Sequence, residues 1–413
     1  MINNKVVLAG LLTLGSAGVA AAQPDQAPAP GTLVVHLNGQ FQFQIGLTNP
    51  LVTTGSTGTK TGSLTDFGFF RLYPGFDATT KNGLQYGVAS EIRDTSAAAN
   101  GAGVNSNSTS TNGTVNLYVR RAYAYVGTSE YGYIRFGQTD GAFGLLQDGV
   151  IGDFGDGQQW NSDGGLASYI PGGSPAHFIY ADTGKLYTTS KIVYLSPSFD
   201  NFNFAVSYEP NSNGLNEGAS DTSAETSIPG SNADRRINTF DGMIQYTGHF
   251  DGVGIKTSGG ELIGSPLGNT TTTVYRKQLE VTQFGTTVDI GALTLGANIK
   301  YGQTNHDYEV LQPGQRKGLD YIVGATYRIH HLVFGGSIFE DWAAASHSAT
   351  THTVGQTYSS IGAALGATYE VNKNLAVFIS YLYGQEHDHG SASVGPEGNS
   401  HQNAIGIGSA LKW

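Results

Sequence analysis

Two sets of charges carry the chemistry this sequence advertises. Asp140, Asp148, Asp153, Asp156 and Asp163 fall within one polar stretch, about 138–190, with Gly152-Asp153-Phe154-Gly155-Asp156-Gly157 at its centre. Arg71, Arg93, Arg120 and Arg135 precede it, in segments where polar and apolar residues alternate. Carboxylates held across a narrow, water-filled passage from guanidinium groups would set up a transverse field that orients dipolar solutes and discriminates by charge. Asp140 is also placed to cap the start of its stretch. Other chemistries are poorly served. Asp153 and Asp156 offer hard oxygen ligands to calcium, but the twelve-residue calcium-loop spacing is absent. His387-Asp388-His389 with His401, and His347 with His352, offer nitrogen ligands to zinc, but in Ser/Gly-rich stretches where scattered polar residues are the norm. No metal site and no cofactor is expected. There is no Gly-x-Ser-x-Gly elbow, no His-Glu-x-x-His helix and no phosphate-binding glycine loop, so the chain is not expected to be an enzyme.

The elements that would position these charges are strands. Leu33, Val35, Leu37, Phe41, Phe43, Ile45 and Leu47 alternate with Thr32, His36, Asn38, Gln40, Gln42 and Gln44. At about 3.3 Å per residue that run is about 50 Å long, enough to cross a membrane at a steep tilt. Seven short Asn/Asp/Gly-rich turns (78–83, 128–131, 197–201, 249–252, 289–292, 329–331 and 370–374) take turns with eight long polar loops (about 48–63, 94–113, 138–190, 210–235, 262–276, 302–317, 340–357 and 384–400). Sixteen strands follow, with both termini on the short-turn side. An even number of antiparallel strands is how a single-chain outer-membrane barrel is organised.

Charge parity sharpens that reading, because an Arg or Lys facing lipid near mid-membrane costs about 2–4 kcal/mol. When the large apolar residues of each segment are set outward, Arg71, Glu91, Arg93, Arg135, Lys191, Glu209, Asp241, Lys256, Glu280, Lys300, Asp320, Arg328 and Lys412 all turn inward. Between Val115 and Val126 the parity that turns Arg120 inward with Ala122 and Ala124 turns Arg121 outward with Tyr123 and Tyr125. Arg121 is therefore expected in a subunit interface or at a membrane boundary, in preference to a local bulge that flips the register.

Composition agrees. The chain has 59 Gly, 22 Tyr, 19 Phe, 2 Met and no Cys. That suits a β-rich wall whose outward and inward residues cancel in average hydropathy, and it excludes disulfide scaffolds, thiol catalysis and Cys-based zinc. Residues 1–22 read as a cleaved export signal: Lys5, an apolar core over Val6–Leu14, and small residues Ala20-Ala21-Ala22 before Gln23. Residues 23–31 form a short Pro/Ala linker and 32–413 the barrel. No later run of about 18 apolar residues suggests a spanning helix. The net charge, −11 for the chain and −12 once Lys5 leaves, disfavours nucleic acid and favours cations.

The residues resemble the 16-stranded trimeric general porins of Gram-negative outer membranes, in their alphaproteobacterial version. The clearest pieces are Val34-Val35-His36-Leu37-Asn38-Gly39, Gly132-Tyr133-Ile134-Arg135-Phe136-Gly137-Gln138-Thr139-Asp140-Gly141-Ala142, and Lys191-Ile192-Val193-Tyr194-Leu195-Ser196-Pro197-Ser198-Phe199. The resemblance implies short periplasmic turns, long extracellular loops, a third long loop folded back into the pore, and a homotrimer. It maps the family's strand-two and strand-four arginines onto Arg71 and Arg120, whereas Arg93 and Arg135 join them by parity alone. It further implies that Ile407, Leu411 and the terminal Trp413, on one parity, act as the signal read by the barrel-assembly machinery, where relatives more often end in Phe. Expected surroundings are outer-membrane lipid and lipopolysaccharide, and small polar solutes.

The function expected is passive diffusion of small hydrophilic solutes and ions, with a mild preference for cations. A substrate-selective porin for sugars or an anion is the alternative; its signature would be a basic ladder or a line of lumen aromatics, and Tyr73 and Tyr133 are too few to supply one. A barrel lipase would need a Ser-His pair on the lipid-facing wall, and a β-solenoid adhesin a fixed repeat, neither of which the sequence carries.

Overall fold

The computed structural model describes residues 27–49, 53–54, 59–60, 63–96, 115–150, 189–211, 214–215, 236–266, 276–304, 308, 310–344, 357–388 and 399–413. The expected export signal, Asp153, Asp156, Asp163, His347, His352 and His389 lie outside the described residues. Sixteen strands build one sheet: β1 (Thr32–Asn49), β2 (Leu64–Thr79), β3 (Gln85–Ser96), β4 (Val115–Thr128), β5 (Gly132–Gln138), β6 (Ser190–Leu195), β7 (Phe202–Asn211), β8 (Arg236–Phe250), β9 (Val253–Pro266), β10 (Leu279–Ile290), β11 (Leu293–Gln303), β12 (Gly318–Ile329), β13 (Leu332–Ala344), β14 (Thr357–Asn372), β15 (Leu375–Asp388) and β16 (Asn399–Lys412). Each pairs with its sequence neighbour, and β16 returns antiparallel to β1, with Lys412 opposite Gln40 and Asn403 opposite Asn49, so the sheet closes into a barrel.

The seven short turns stand where the sequence places them. Asp251-Gly252 adopts positive φ at both positions, the mirror-image turn whose twist matches a two-residue hairpin. Several strands run a few residues into the stretches expected to be loop, as β9 does to Pro266 and β13 to Ala344. Within the first long connection, Thr53–Thr54 pairs with Thr59–Lys60. No described helix is long and apolar enough to cross a membrane. The strands do the crossing, as their alternation requires: on β1 Phe43 is 41% exposed and its neighbour Gln44 1%. Toward the short-turn rim the outer wall is aromatic, with Phe199, Phe202 and Phe250 exposed and Tyr246 packed between the last two at 4.9 and 6.4 Å.

Two charges depart from expectation: Glu280 lies on β10 between Leu279 and Val281, which are buried on the lumen side, so it takes the outer face with Phe284 near the long-loop end of its strand, and Arg121 turns inward. The pairing of β3 with β4 shifts register between Glu91, opposite Arg121, and Ile92, opposite Val119, so Arg120 is an extra residue on β4. Before this bulge Leu117 and Val119 face outward, 60% and 55% exposed; after it Tyr123 and Tyr125 are buried, and Ala122 and Ala124 take the outer face. Both arginines consequently point into the barrel, at 6% and 3% exposed. The cause is the cost of a guanidinium in lipid, which one bulge removes. Arg120 is inward as expected, but Ala122 and Ala124 do not share its face, and Arg121 occupies neither a subunit interface nor a membrane boundary.

Candidate functional site

Residues 139–150 leave β5 and stay inside the barrel. The Ala142 N–H donates to Ser207 Oγ on β7 and the Phe143 N–H to Asp241 Oδ1 on β8, both at 3.3 Å. A side chain on Gly141 would collide with that same Asp241 carboxylate, so the backbone runs directly on the wall. Farther along, Gln245 Nε2 on β8 donates to the Leu146 carbonyl at 3.3 Å and to the Asp148 carboxylate at 3.2 and 3.0 Å. Lys256 Nζ on β9 lies 2.8 Å from Asp148 Oδ1, and Asn298 Nδ2 on β11 donates to the Asp148 carbonyl at 2.7 Å. Gly149, at φ 70°, presses against the carbonyls of Thr286 and Ala297 on β10 and β11. The start of the third long loop therefore follows the inner wall from β5 to β11.

Both stems of that loop are tied by one ammonium. Lys191 Nζ on β6 donates to the Thr139 carbonyl at 2.7 Å, the Thr189 carbonyl at 2.9 Å and the Thr189 hydroxyl at 2.6 Å, with Glu209 3.6 Å away. Glu209 in turn accepts from Arg236 Nε at 2.9 Å. A buried charge satisfied by three acceptors and a counter-charge fixes geometry well, since leaving any of them unpaired in so dry a place is costly.

On the wall of β2–β5 the expected arginines come together, and Arg121 joins them. Arg71 and Arg93 are direct cross-strand partners, an arrangement that repels unless a counter-charge intervenes. Glu91 is that counter-charge. It pairs with Arg93, receives Arg121 Nε at 2.6 Å and lies 3.3 Å from Arg120. Arg121 also pairs with Asp140. Arg71 stacks over Phe69 at 4.1 Å. Arg135, 1% exposed, lies 4.4 Å over the Tyr123 ring and donates to Thr139 Oγ1 at 3.2 Å, with no carboxylate partner among the described residues. Five guanidinium groups stand against Glu91, Asp140 and Asp77, the last in the same cross-strand row as Arg135 and accepting from the Tyr125 hydroxyl, which leaves this wall at a formal charge of +2.

Two expectations about the carboxylates change. Asp140 belongs to the arginine wall and partly neutralises it, because it is only five residues from Arg135 and two past the end of β5. Asp148 does stand away from the arginines, but as the partner of Lys256 and Gln245. Sequence parity turns Asp320 inward, as observed, but misses its acidic partner. Asp320 on β12 and Asp341 on β13 are cross-strand partners, both buried, and Lys300 on β11 stands opposite Asp320. In a ring of sixteen, β12 and β13 lie half a circuit from β4 and β5. The described lumen thus has an arginine-rich side and, across from it, a carboxylate pair. Ile407, Leu411 and Trp413 all lie on the outer face. Among the described residues no three His or acidic side chains converge as metal ligands.

A family model described as Gram-negative porin matches residues 6–389. The fold is similar to that of the anion-selective porin from Comamonas acidovorans, with a TM-score of 0.57 and 13% identity over 92% of this chain and 100% of that one. The outer membrane channel DcaP of Acinetobacter baumannii gives a TM-score of 0.56 and 13% identity over 94% of this chain and 100% of that one. OmpT of Vibrio cholerae in its trimer form gives 0.50 and 14% over 92% and 99%. No curated protein matches the chain in sequence.

Proposed function

Because this chain belongs to the Gram-negative porin family and is therefore an outer-membrane channel, we propose that it admits small hydrophilic solutes and ions by passive diffusion, with a mild preference for cations. The observation that carries this reading is the course of residues 139–150, from Asp140 at the arginine wall to Asp148 beyond β8. A segment laid along the inner wall narrows a water-filled tube without closing it, and that is what a diffusion pore with a size limit needs. In this reading Arg71, Arg93, Arg120 and Arg135 line one side of the constriction, and Asp140, Asp148, Asp153 and Asp156 belong to the loop that forms it. The cation preference rests on 32 acidic against 21 basic residues in the whole chain.

We further infer cleavage after residue 22, an outer-membrane trimer of identical subunits, and assembly directed by Ile407, Leu411 and Trp413. The trimer form of the Vibrio cholerae relative supports the oligomeric part. One specific observation favours a second reading, selectivity for anionic solutes: the formal +2 on the β2–β5 wall, together with the anion selectivity named for the Comamonas acidovorans relative.

Reversal potential across a salt gradient in a planar bilayer separates the two. The expected sign is that of a cation-preferring pore, reduced toward zero in Asp153→Asn/Asp156→Asn. An anion sign in the unaltered protein favours the second reading, and a cation sign unmoved by both substitutions removes those two carboxylates from the constriction.

A further inference from the structure

The inner wall carries an apolar patch that a wet pore does not require. Ala205, Met243, Leu262, Leu279 and Val281, on β7–β10, are buried although they face the lumen. Exposed to channel water, such a patch would forfeit the free energy gained by burying its apolar surface. Two separate pieces of chain cover it. One is the start of the third long loop, through Ala142, Phe143 and Leu146. The other comes from the sixth long connection, between β11 and β12, which the sequence reading treats as an ordinary external loop. Its Tyr308 and Leu311 are fully buried and Val310 nearly so.

The two pieces meet ring to ring. Phe143 and Tyr308 stand edge to face, with centroids 5.9 Å apart and planes at 89°. Both are at most 1% exposed. The sixth connection is held in place from its own side. Arg236 on β8 reaches the Tyr308 carbonyl at 3.5 Å, the Lys277 N–H donates to the Leu311 carbonyl at 2.8 Å, and Lys277 Nζ donates to the Gln315 carbonyl at 2.9 Å. Lys300 Nζ lies 5.9 Å over the Tyr308 ring. Tyr308 itself has φ 58°, a left-handed backbone that a tyrosine adopts only where its surroundings hold it.

We propose that Tyr308 is a latch: seated on Phe143 inside the barrel, it pins the start of the constriction loop to the β7–β10 wall and so sets the cross-section open to solutes. Size selection then depends on two loops, the second one holding the first. An edge-to-face aromatic pair adds enough beyond its buried area to shift a loop between seated and unseated states by several-fold.

This inference rests on the porin reading, and single-channel recording in planar bilayers tests the two separately. Tyr308→Ala is expected to raise unit conductance about 1.5-fold, with added sub-conductance noise, and to admit larger uncharged sugars in liposome swelling. Tyr308→Phe, which keeps the ring, should behave as the unaltered protein. Phe143→Ala should imitate Tyr308→Ala, and the double variant should add little to either, since both remove one contact. Heat-modifiable migration on gels verifies that each variant forms a closed barrel. If Tyr308→Ala does not fold, Tyr308→Leu must still raise conductance. Unchanged conductance in a folded Tyr308→Ala or Tyr308→Leu barrel, or additive effects in the double variant, overturns the latch. Absence of channels from the unaltered protein would overturn the porin reading instead.

Discussion

Glu91→Gln is expected to make the arginine wall both the weakest part of the barrel and the most anion-attracting part of the pore. Glu91 is the shared counter-ion of Arg93, Arg120 and Arg121, and it is as buried as they are. Removing its charge raises the wall from a formal +2 to +3 and leaves the cluster only Asp140, which compensates through Arg121. Breaking a buried ion pair by deleting one partner costs about 3–5 kcal/mol, because the remaining charges stay desolvated. The cost should reside near the lower end, since the lumen lets water relax around the arginines. Urea-dependent loss of the heat-resistant barrel should therefore move to lower denaturant, and the reversal potential in a salt gradient should move toward anions. Arg93→Leu in the Glu91→Gln background should recover part of the stability, since it removes a buried charge whose counter-ion is gone while Arg121 and Asp140 keep each other. A Glu91→Gln barrel that keeps both its unfolding midpoint and its ion preference would show that the cluster is solvated and indifferent.

How far these features could be read from residues alone depends on whether lipid enforced them. The strand pattern was legible because each outward position pays for a charge in hydrocarbon, so Leu33 to Leu47 and the inward Arg71, Arg93 and Arg135 announce themselves by alternation. The bulge at Arg120 was harder. It appears only as two adjacent arginines and a choice between sending Arg121 or the pair Ala122 and Ala124 to the outer face. Alanine tolerates lipid and arginine does not, so the same penalty that turns Arg71, Arg93 and Arg135 inward, applied strictly, selects the bulge. Inside the lumen no such constraint operates. Nothing in the spacing of Asp140 and Asp148 says that one stays with Arg121 while the other reaches Lys256. The inward sixth connection left a trace in Tyr308, Val310 and Leu311, an apolar cluster in an otherwise polar stretch, but its contact with Phe143 joins residues 165 positions apart.

The second large effect is expected at the closing seam. Trp413 completes the ladder between β16 and β1: its carbonyl accepts from the Gly39 N–H at 3.1 Å, and its own N–H donates to the Gly39 carbonyl at 3.2 Å. Its indole lies over Gly39, 6.0 Å from the Phe70 ring, on the outer face of the wall. A Cβ on Gly39 would overlap that indole, so glycine is required by space, with no unusual φ involved. Gly39→Leu must therefore expel the indole or spread the strands, at about 1–3 kcal/mol for an overpacked site. Trp413→Ala removes a ring that is half exposed, and surrounding lipid or detergent fills the space, so the refolded barrel should be nearly as stable as before. The two variants separate packing from recognition. If Trp413 with Ile407 and Leu411 is read during assembly, Trp413→Ala should lose most of its outer-membrane protein in cells while refolding normally in detergent, and Trp413→Phe should keep both. Gly39→Leu should be impaired in cells and in detergent alike, because its defect lies in the seam itself. Normal outer-membrane levels of Trp413→Ala would show that the terminal indole serves only to cover Gly39.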